Sequence, residues 1–291
     1  MKIALIGCGE VGHCYARAWT AAGHTFVGIC DLRQDSEMRA RAQAAGASLH
    51  AEPGPWLSEA DVVVSAVYGY NAAQVARQSF PHMRSGAVYA DFTTAGAPDM
   101  QAAATAAAAW PIEFMDVAIM GAIALLAEKT PLLCAGHGAQ AVTALAESAG
   151  APVRIIDGTP GDAVRLKLLR SVMTKGMESL AVECMVAAER MGLRASLYEV
   201  LADIDRTPLT AFMDSFVRSH VLHAPRRLAE VREARDQLHE AGLEPLVLNG
   251  VEQLFERTTR GIEAARANGQ AEVPDSVEAR LAWLSTLARQ A

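Results

Sequence analysis

Along the first half of the chain, short runs of β-branched residues alternate with longer segments whose apolar positions recur every three or four residues. Strands are expected at 2–6, 25–30, 62–66, 87–90, 113–116, 132–135 and 153–156. Between most of them lie Ala-rich stretches of helical period, at 11–22, 72–80 and 139–148. The alanine run 102–109 reads as a surface helix of high intrinsic propensity rather than as low complexity. Strands that alternate with helices imply βαβ units and a mainly parallel, doubly wound sheet.

The pattern changes after Ile156. Asp157-Gly158-Thr159-Pro160-Gly161-Asp162 is a turn cluster, with Thr159, Gly161 or Asp162 available to begin a helix. Beyond it almost every segment has helical period, with breaks expected at Gly192, Pro208, Pro225, Pro245 and the Asn268-Gly269 turn. An α/β domain over 1–158 followed by an all-α domain over 159–291 is the expected organisation, without internal repeats.

Composition narrows the partners. Of 291 residues, 51% are apolar, enough for a sizeable core or two. Twenty-six basic and 33 acidic residues leave a net charge of −7, which argues against nucleic acid as a partner. The low charged fraction of 20% excludes a disordered chain. No apolar run approaches the ~18 to 20 residues of a membrane span, and the apolar stretch 3–6 is shorter than the ~7 to 15 residues of a signal core. Cys8, Cys14, Cys30, Cys134 and Cys184 form no CxxC pair and lack histidines at zinc-ligand spacing. No metal is expected, and free thiols in a reducing cytoplasm are.

The chemistry begins at Gly7-Cys8-Gly9-Glu10-Val11-Gly12, directly after the first strand and opening a helix. GxGxxG alone is weak evidence, because glycines recur in any turn. Here it stands between a strand and a helix, with Asp31 closing the second strand about 20 residues further on, the offset of a ribose ligand. Gly7 allows the tight turn, Gly9 lets backbone N–H groups approach a pyrophosphate, and Gly12 lets helix and strand pack closely. The helix N-terminus, where Glu10 and Val11 lie, adds partial positive charge under the phosphates. Asp31 favours NAD by binding ribose hydroxyls and repelling a 2′-phosphate. Arg33 leaves NADP open, since its guanidinium could clamp that phosphate.

In the helix expected from about 162 to 190, Leu169, Met173, Gly176 and Leu180 share one face. Lys167, Arg170, Ser171, Thr174, Lys175 and Glu178 share the other. An ordinary solvated face would carry the same residues. The helix directly follows the domain boundary, however, so its first turns are expected to border a cleft where cofactor and substrate meet. There Lys167 could move a proton, provided its surroundings lower a pKa that is about 10.4 in model peptides.

These features together resemble the β-hydroxyacid dehydrogenase family of 3-hydroxyisobutyrate and 6-phosphogluconate dehydrogenases, over roughly residues 1 to 195. Besides the glycine loop, Asp61-Val62-Val63-Val64-Ser65-Ala66-Val67 is similar to the family's fourth-strand segment, and Asp91-Phe92-Thr93-Thr94 to its Asp-x-Ser-Thr stretch. The resemblance implies a Rossmann-type first domain, with Ala66, Val67, Asn71 and Thr94 at the cofactor. Asp116-Val117-Ala118-Ile119-Met120-Gly121-Ala122 occupies the place of the substrate-binding Asp-Ala-Pro-Val-Ser-Gly-Gly segment, implying Met120, Gly121 and Ala122 at the substrate. Lys167 matches the catalytic lysine, and Ser171 stands one turn later where the family has asparagine.

Met120 replaces a serine, and a thioether donates no hydrogen bond to a carboxylate. The stretch from Arg170 to Gly176 and His223-Ala224-Pro225-Arg226-Arg227 look like a less characterised branch. Lys175, and Arg226 or Arg227, are further substrate-site candidates. The resemblance also implies a homodimer through the helical domain, which apolar Leu246, Val247, Leu248 and Leu254 would suit. An NAD(P)-dependent dehydrogenase of a small hydroxy compound is the leading expectation. An imine reductase of the same plan and a non-catalytic cofactor-binding regulator are the alternatives.

Overall fold

Alanine, valine and isoleucine at consecutive positions make the central strands apolar on both faces, as strands covered by helices on both sides must be. The structure, a computed structural model, describes residues 1–202, 204–269 and 274–288. Its first part alternates β1 (Lys2–Ile6), α1 (Glu10–Ala21), β2 (Thr25–Cys30), α2 (Ser36–Ala44), β3 (Leu49–His50), β4 (Val62–Ser65), α3 (Gly69–Ser79) and β5 (Val88–Asp91). There follow α4 (Ala97–Ala107), β6 (Glu113–Ile119), the short α5 (Ile123–Leu126), β7 (Leu132–Gly136), α6 (Ala139–Ser148) and β8 (Val153–Ile155). The strands form one sheet in the order β3-β2-β1-β4-β5-β6-β7-β8.

All neighbouring pairs run parallel except β6 and β7, where Asp116 lies opposite Ala135 in an antiparallel ladder. Strand order reverses between β1 and β4, the topological switch point at which such sheets bind ligands outside their carboxyl ends. The seven expected strands are all present, within a few residues. The expectation lacked β3, whose two residues are too few to leave a periodic signal.

Each face of the sheet has its own core. Ile3, Leu5, Ile29, Val64 and Met115 bury against Trp19 of α1, Met38 of α2 and Leu145 of α6. Trp19 donates its indole N–H to the Leu145 carbonyl, 2.9 Å away. On the opposite face Ile6, Val63, Tyr89 and Phe114 lie under α3 and α4. The alanine run supplies Ala103 and Ala107, one turn apart and fully buried, so it is a packed helix face as well as a good helix former.

Helices follow: α7 (Asp162–Arg190), α8 (Arg194–Val200), α9 (Leu209–Glu240), α10 (Leu246–Ala267) and α11 (Val277–Ala288). By its contacts the chain divides into two compact units, Met1–Val172 and Met173–Ala291, so the first turns of α7 belong with the sheet. In the second unit α9 packs along α10 and α11. Glu183 of α7 caps α10 by accepting the N–H groups of Val247 at 2.7 Å and Leu248 at 2.9 Å. The break expected at Pro225 is absent, and α9 runs through it for 32 residues. Proline removes one helical hydrogen bond, but burial of Val221, Ala224 and Leu228 on either side holds the helix together.

Met115 sits fully buried mid-sheet. Met115→Ala is expected to cost ~2–5 kcal/mol of stability, measured as a lowered denaturant midpoint followed by intrinsic fluorescence.

Candidate functional site

The turn from β1 into α1 is built by steric exclusion. Gly7 adopts φ 89°, and a Cβ there would lie 2.7 Å from the Ala66 carbonyl oxygen. At Gly12 a Cβ would stand 1.9 Å from the Gly7 carbonyl oxygen, so the helix rests directly on the strand end. Gly9 is the reverse case: a Cβ there would meet nothing within 4 Å, and the backbone is bare toward the cleft. Backbone bonds from Gly7 to Cys30 and from Ala66 to Ile6, both 2.7 Å, lock the loop to β2 and β1.

This loop walls a cleft of about 1900 Å³, well beyond the ~300–1,000 Å³ of ordinary small-ligand pockets. Gly7, Gly9, Glu10, Val11, Asp31, Arg33, Ala66, Val67, Asn71 and Thr94 all line it, so the structure brings these ten candidates together. Gly12 lies behind the wall, at the helix–strand contact. The N–H groups of Gly9, Glu10 and Val11 at the start of α1 lack intrahelical partners, and these residues line the cleft. A bare glycine, free N–H groups and a long cleft across the switch point fit an extended dinucleotide.

Asp31 is nearly covered, with its side chain 13% exposed. One carboxylate oxygen accepts the Cys8 N–H at 2.9 Å and the other the Arg33 N–H at 2.9 Å. Arg33 in turn stands between two acids, 3.7 Å from Asp31 and 3.9 Å from Glu37. Sequence reasoning missed Arg41, whose guanidinium pairs with Glu37 and donates to the Cys8 carbonyl at 2.6 Å. It also missed Tyr68 and Tyr70, exposed rings stacked 5.5 Å apart on the cleft wall. The Glu37 pair is a local one, four residues away, but the bond that brings Arg41 to the loop reaches 33 residues back and leaves no local signal.

The second group of candidates gathers around Asp116. This buried carboxylate on β6 accepts the Gly161 N–H at 2.8 Å and the Val164 N–H at 3.3 Å. A negative charge thus sits at the start of α7, where the helix dipole favours it. Lys167 follows Val164 by three residues and Ala163 by four, so it shares their side of the helix. Both neighbours are buried, and Lys167 is half-buried. Burial pushes its pKa down, against an opposing pull from Asp116. Ser171, one turn on, donates its hydroxyl to the Lys167 carbonyl at 3.1 Å.

Over the first turns of α7 the side turned inward is therefore that of Ala163, Val164, Lys167 and Ser171, while Arg170 is exposed and Leu169 is 64% exposed. The tie to Asp116 sets that rotation. Met120 packs among Ala118, Leu133, Ala135 and Ala163. Gly121 rests against the Thr130 methyl, where a Cβ would have 3.1 Å, and Ala122 stands at the N-cap of α5. None of these, nor Lys167, lines the cleft of the glycine loop. Lys175 and Arg226 belong to the second unit and are exposed, Lys175 2.9 Å from Glu178 and Arg226 paired with Glu230. Arg227 donates to the Ser219 hydroxyl at 3.0 Å.

Comparison with known proteins agrees with this geometry. Residues 2–156 match the model of the NAD binding domain of 6-phosphogluconate dehydrogenase, and the chain belongs to that family. It is thereby an NAD(P)-binding, Rossmann-fold oxidoreductase of the 6-phosphogluconate and 3-hydroxyacid dehydrogenase type. Residues 188–258 match a domain family of unknown function, DUF1932. An uncharacterised 28.5 kDa protein of Methanothermus fervidus is 24% identical over 255 residues, 88% of this chain and 98% of that one. A solved conserved protein of unknown function, described as structurally similar to 3-hydroxyacid dehydrogenases, is 25% identical. It has a TM-score of 0.62 over 94% of this chain and 100% of its own. The imine reductase of Aspergillus terreus, solved with NADPH4 and dibenz[c,e]azepine, shares the fold. Its TM-score is 0.72 at 15% identity, over 89% of this chain and 93% of its own. Among the described residues no helix is long and apolar enough to cross a membrane.

Gly12→Ala must displace either β1 or α1. It is expected to weaken NADH binding at least tenfold, read by NADH fluorescence titration, and to cost ~1–3 kcal/mol of stability through overpacking.

Proposed function

We propose that this protein is an NAD-dependent dehydrogenase or reductase of a small, partly apolar substrate, with Lys167 as its general acid–base. The observation that carries the reading is the half-buried Lys167, fixed on the first turns of α7 by Asp116. Gly9, Glu10 and Val11 would hold the pyrophosphate through backbone N–H groups, and Asp31 the adenosine ribose. Ala66, Val67, Asn71 and Thr94 would line the remainder of the dinucleotide's path. When bound, the nicotinamide supplies the carbon that gives or takes a hydride.

Lys167 does the proton work. As the neutral amine it removes a proton from a substrate hydroxyl during oxidation; as the ammonium it returns one during reduction. Desolvation favours the neutral form, which is why the half-buried position matters. Ser171, one turn along the same side, orients the reacting oxygen or nitrogen. Met120, Gly121 and Ala122 complete the substrate set in this reading.

The leading substrate is a β-hydroxy acid or related hydroxy compound. Reduction of a C=N bond is the second reading, favoured by Met120, whose thioether sits among alanines and Leu133 and offers a carboxylate no hydrogen bond. The helical residues Leu169, Val172, Val182, Leu246 and Leu254, all exposed, support a homodimer. A cytoplasmic location is part of the same proposal.

Preference for NAD over NADP is supported by Asp31 and by the two carboxylates that already answer the Arg33 guanidinium. A 2′-phosphate would have to displace them. Asp31→Ala is expected to narrow the ratio of kcat/KM for NAD over NADP by ~10-fold or more. An unchanged ratio would reject the assignment.

Lys167→Ala is expected to lower kcat by ~10²-fold or more while leaving NADH binding intact. In the wild type, oxidation should rise with pH through a midpoint below the ordinary lysine range, and reduction should fall over the same interval. A panel of hydroxy acids and cyclic imines, followed by NAD(P)H absorbance, decides between the two substrate classes. Full turnover in the Lys167 variant would sink the proton-carrier role.

A further inference from the structure

The C-terminal ends of β4 and β5, and the middle of β6 level with them, carry a row of polar groups inside an apolar layer. Ser65 pairs in register with Asp91, and Asp91 with Asp116. In parallel strands, register partners project to the same face, ~4.7–4.9 Å apart along the hydrogen-bonding direction. All three residues are no more than 1% exposed. Such a row is costly unless each group finds a partner.

Two of the four carboxylate oxygens are accounted for, while the Ser65 hydroxyl has no partner. Asp91 Oδ1 accepts the Thr93 N–H at 2.9 Å, and Asp116 Oδ2 accepts the first N–H groups of α7. Asp91 Oδ2 and Asp116 Oδ1 have none. Two buried carboxylates on adjacent strands, each with an orphaned oxygen, are both satisfied by a single shared proton. We propose that Asp91 and Asp116 hold one proton between them, and that this acid pair sets how readily the Lys167 amine releases its own.

The surroundings agree. Burial raises the pKa of Asp91 to about 6, the Thr93 hydrogen bonds oppose the rise, and Asp116 adds to it. Burial raises Asp116 too, against the N–H groups of α7. The titratable groups that interact with the pair are Tyr89 on β5, Cys134 on β7, and Asp162 and Lys167 on α7. Lys167 is the cation among them. Burial favours its neutral amine, and Asp116 favours its ammonium. Asp116 is in this sense a positioning residue, acting through the helix it caps and the charge it presents, and Asp91 adds a second, more distant charge once the shared proton has left. The tuning rests on Lys167 being the proton carrier; the shared proton does not.

The linkage sign follows from the raised pKa. The folded chain binds this proton more tightly than the unfolded one, so stability declines as pH rises from about 4 through about 6, and levels above it.

Infrared difference titration of the wild type is the direct test. The carbonyl band of a protonated carboxylic acid should titrate with a midpoint near 6, above that of ordinary carboxylates, and vanish by about pH 7. Asp91→Asn should abolish the band and flatten the stability decline over that interval. Lys167 is followed separately, by competitive labelling with an amine-reactive reagent across pH and quantification of its peptide. Asp116→Asn keeps a carbonyl oxygen for the Gly161 N–H, so α7 stays capped. It should shift the Lys167 labelling midpoint so that the proton is released at least tenfold more readily, with a smaller shift for Asp91→Asn.

Absence of a titrating acid band in the wild type, or its survival in Asp91→Asn, overturns the shared proton. An unmoved labelling midpoint in Asp116→Asn overturns the tuning. Full turnover by Lys167→Ala would instead reject the proposed catalytic role while leaving the band and the labelling curve as they are.

Discussion

One buried carboxylate decides where the sheet ends and the helical part of the chain begins. Asp116 reaches from β6 to the first N–H groups of α7, across 45 residues of sequence to Gly161. Its charge is tolerable in an apolar layer because those N–H groups are unpaired by the helix itself and carry the positive end of its dipole. The same bond fixes the rotation of α7. Ala163, Val164 and Lys167 then share the inner side, and the leucines at 166, 168 and 169 are left outside. An amine otherwise expected in water becomes half-buried through a contact several residues away.

The cofactor cleft is held by a different kind of constraint. At Gly7 and Gly12 the backbone leaves no room for a side chain, while at Gly9 it leaves the space open. Exclusion shapes the loop, and charge then decides what it receives. Asp31, Glu37, Arg33 and Arg41 form a chain of alternating sign beside it. Both cations of that chain already have an acid.

Much of this was legible from residue order alone. The central strands announced themselves because both of their faces are buried, and the glycine loop because its spacing and its place between strand and helix coincide. The cofactor candidates, dispersed from Gly7 to Thr94, converge on one cleft because each follows the carboxyl end of a parallel strand. What escaped notice depended on distance or on competition. The bonds of Arg41 to Cys8 and of Asp116 to Gly161 join residues far apart in sequence, and no local pattern reports such a bond. Pro225 is a helix breaker by intrinsic preference, overruled by burial on both sides of it. The face of α7 was ambiguous for a related reason: periodicity gives two faces, and only a tertiary bond says which one turns inward.

The reversal at β7 has its own consequence. Because β7 runs against β6 and β8 runs with β7, β8 finishes away from the edge at which the cleft opens. The chain then passes Gly136, beside Pro160, before Gly161 meets Asp116. That path is a strut of set span, with glycines at 158 and 161 where it bends. Insertions or deletions between 156 and 162 would pull α7 off its anchor, whereas the turn at Gly86, where a Cβ would meet open space, can absorb them. Length variation in descendants of this chain should therefore avoid the strut and collect in the outer turns.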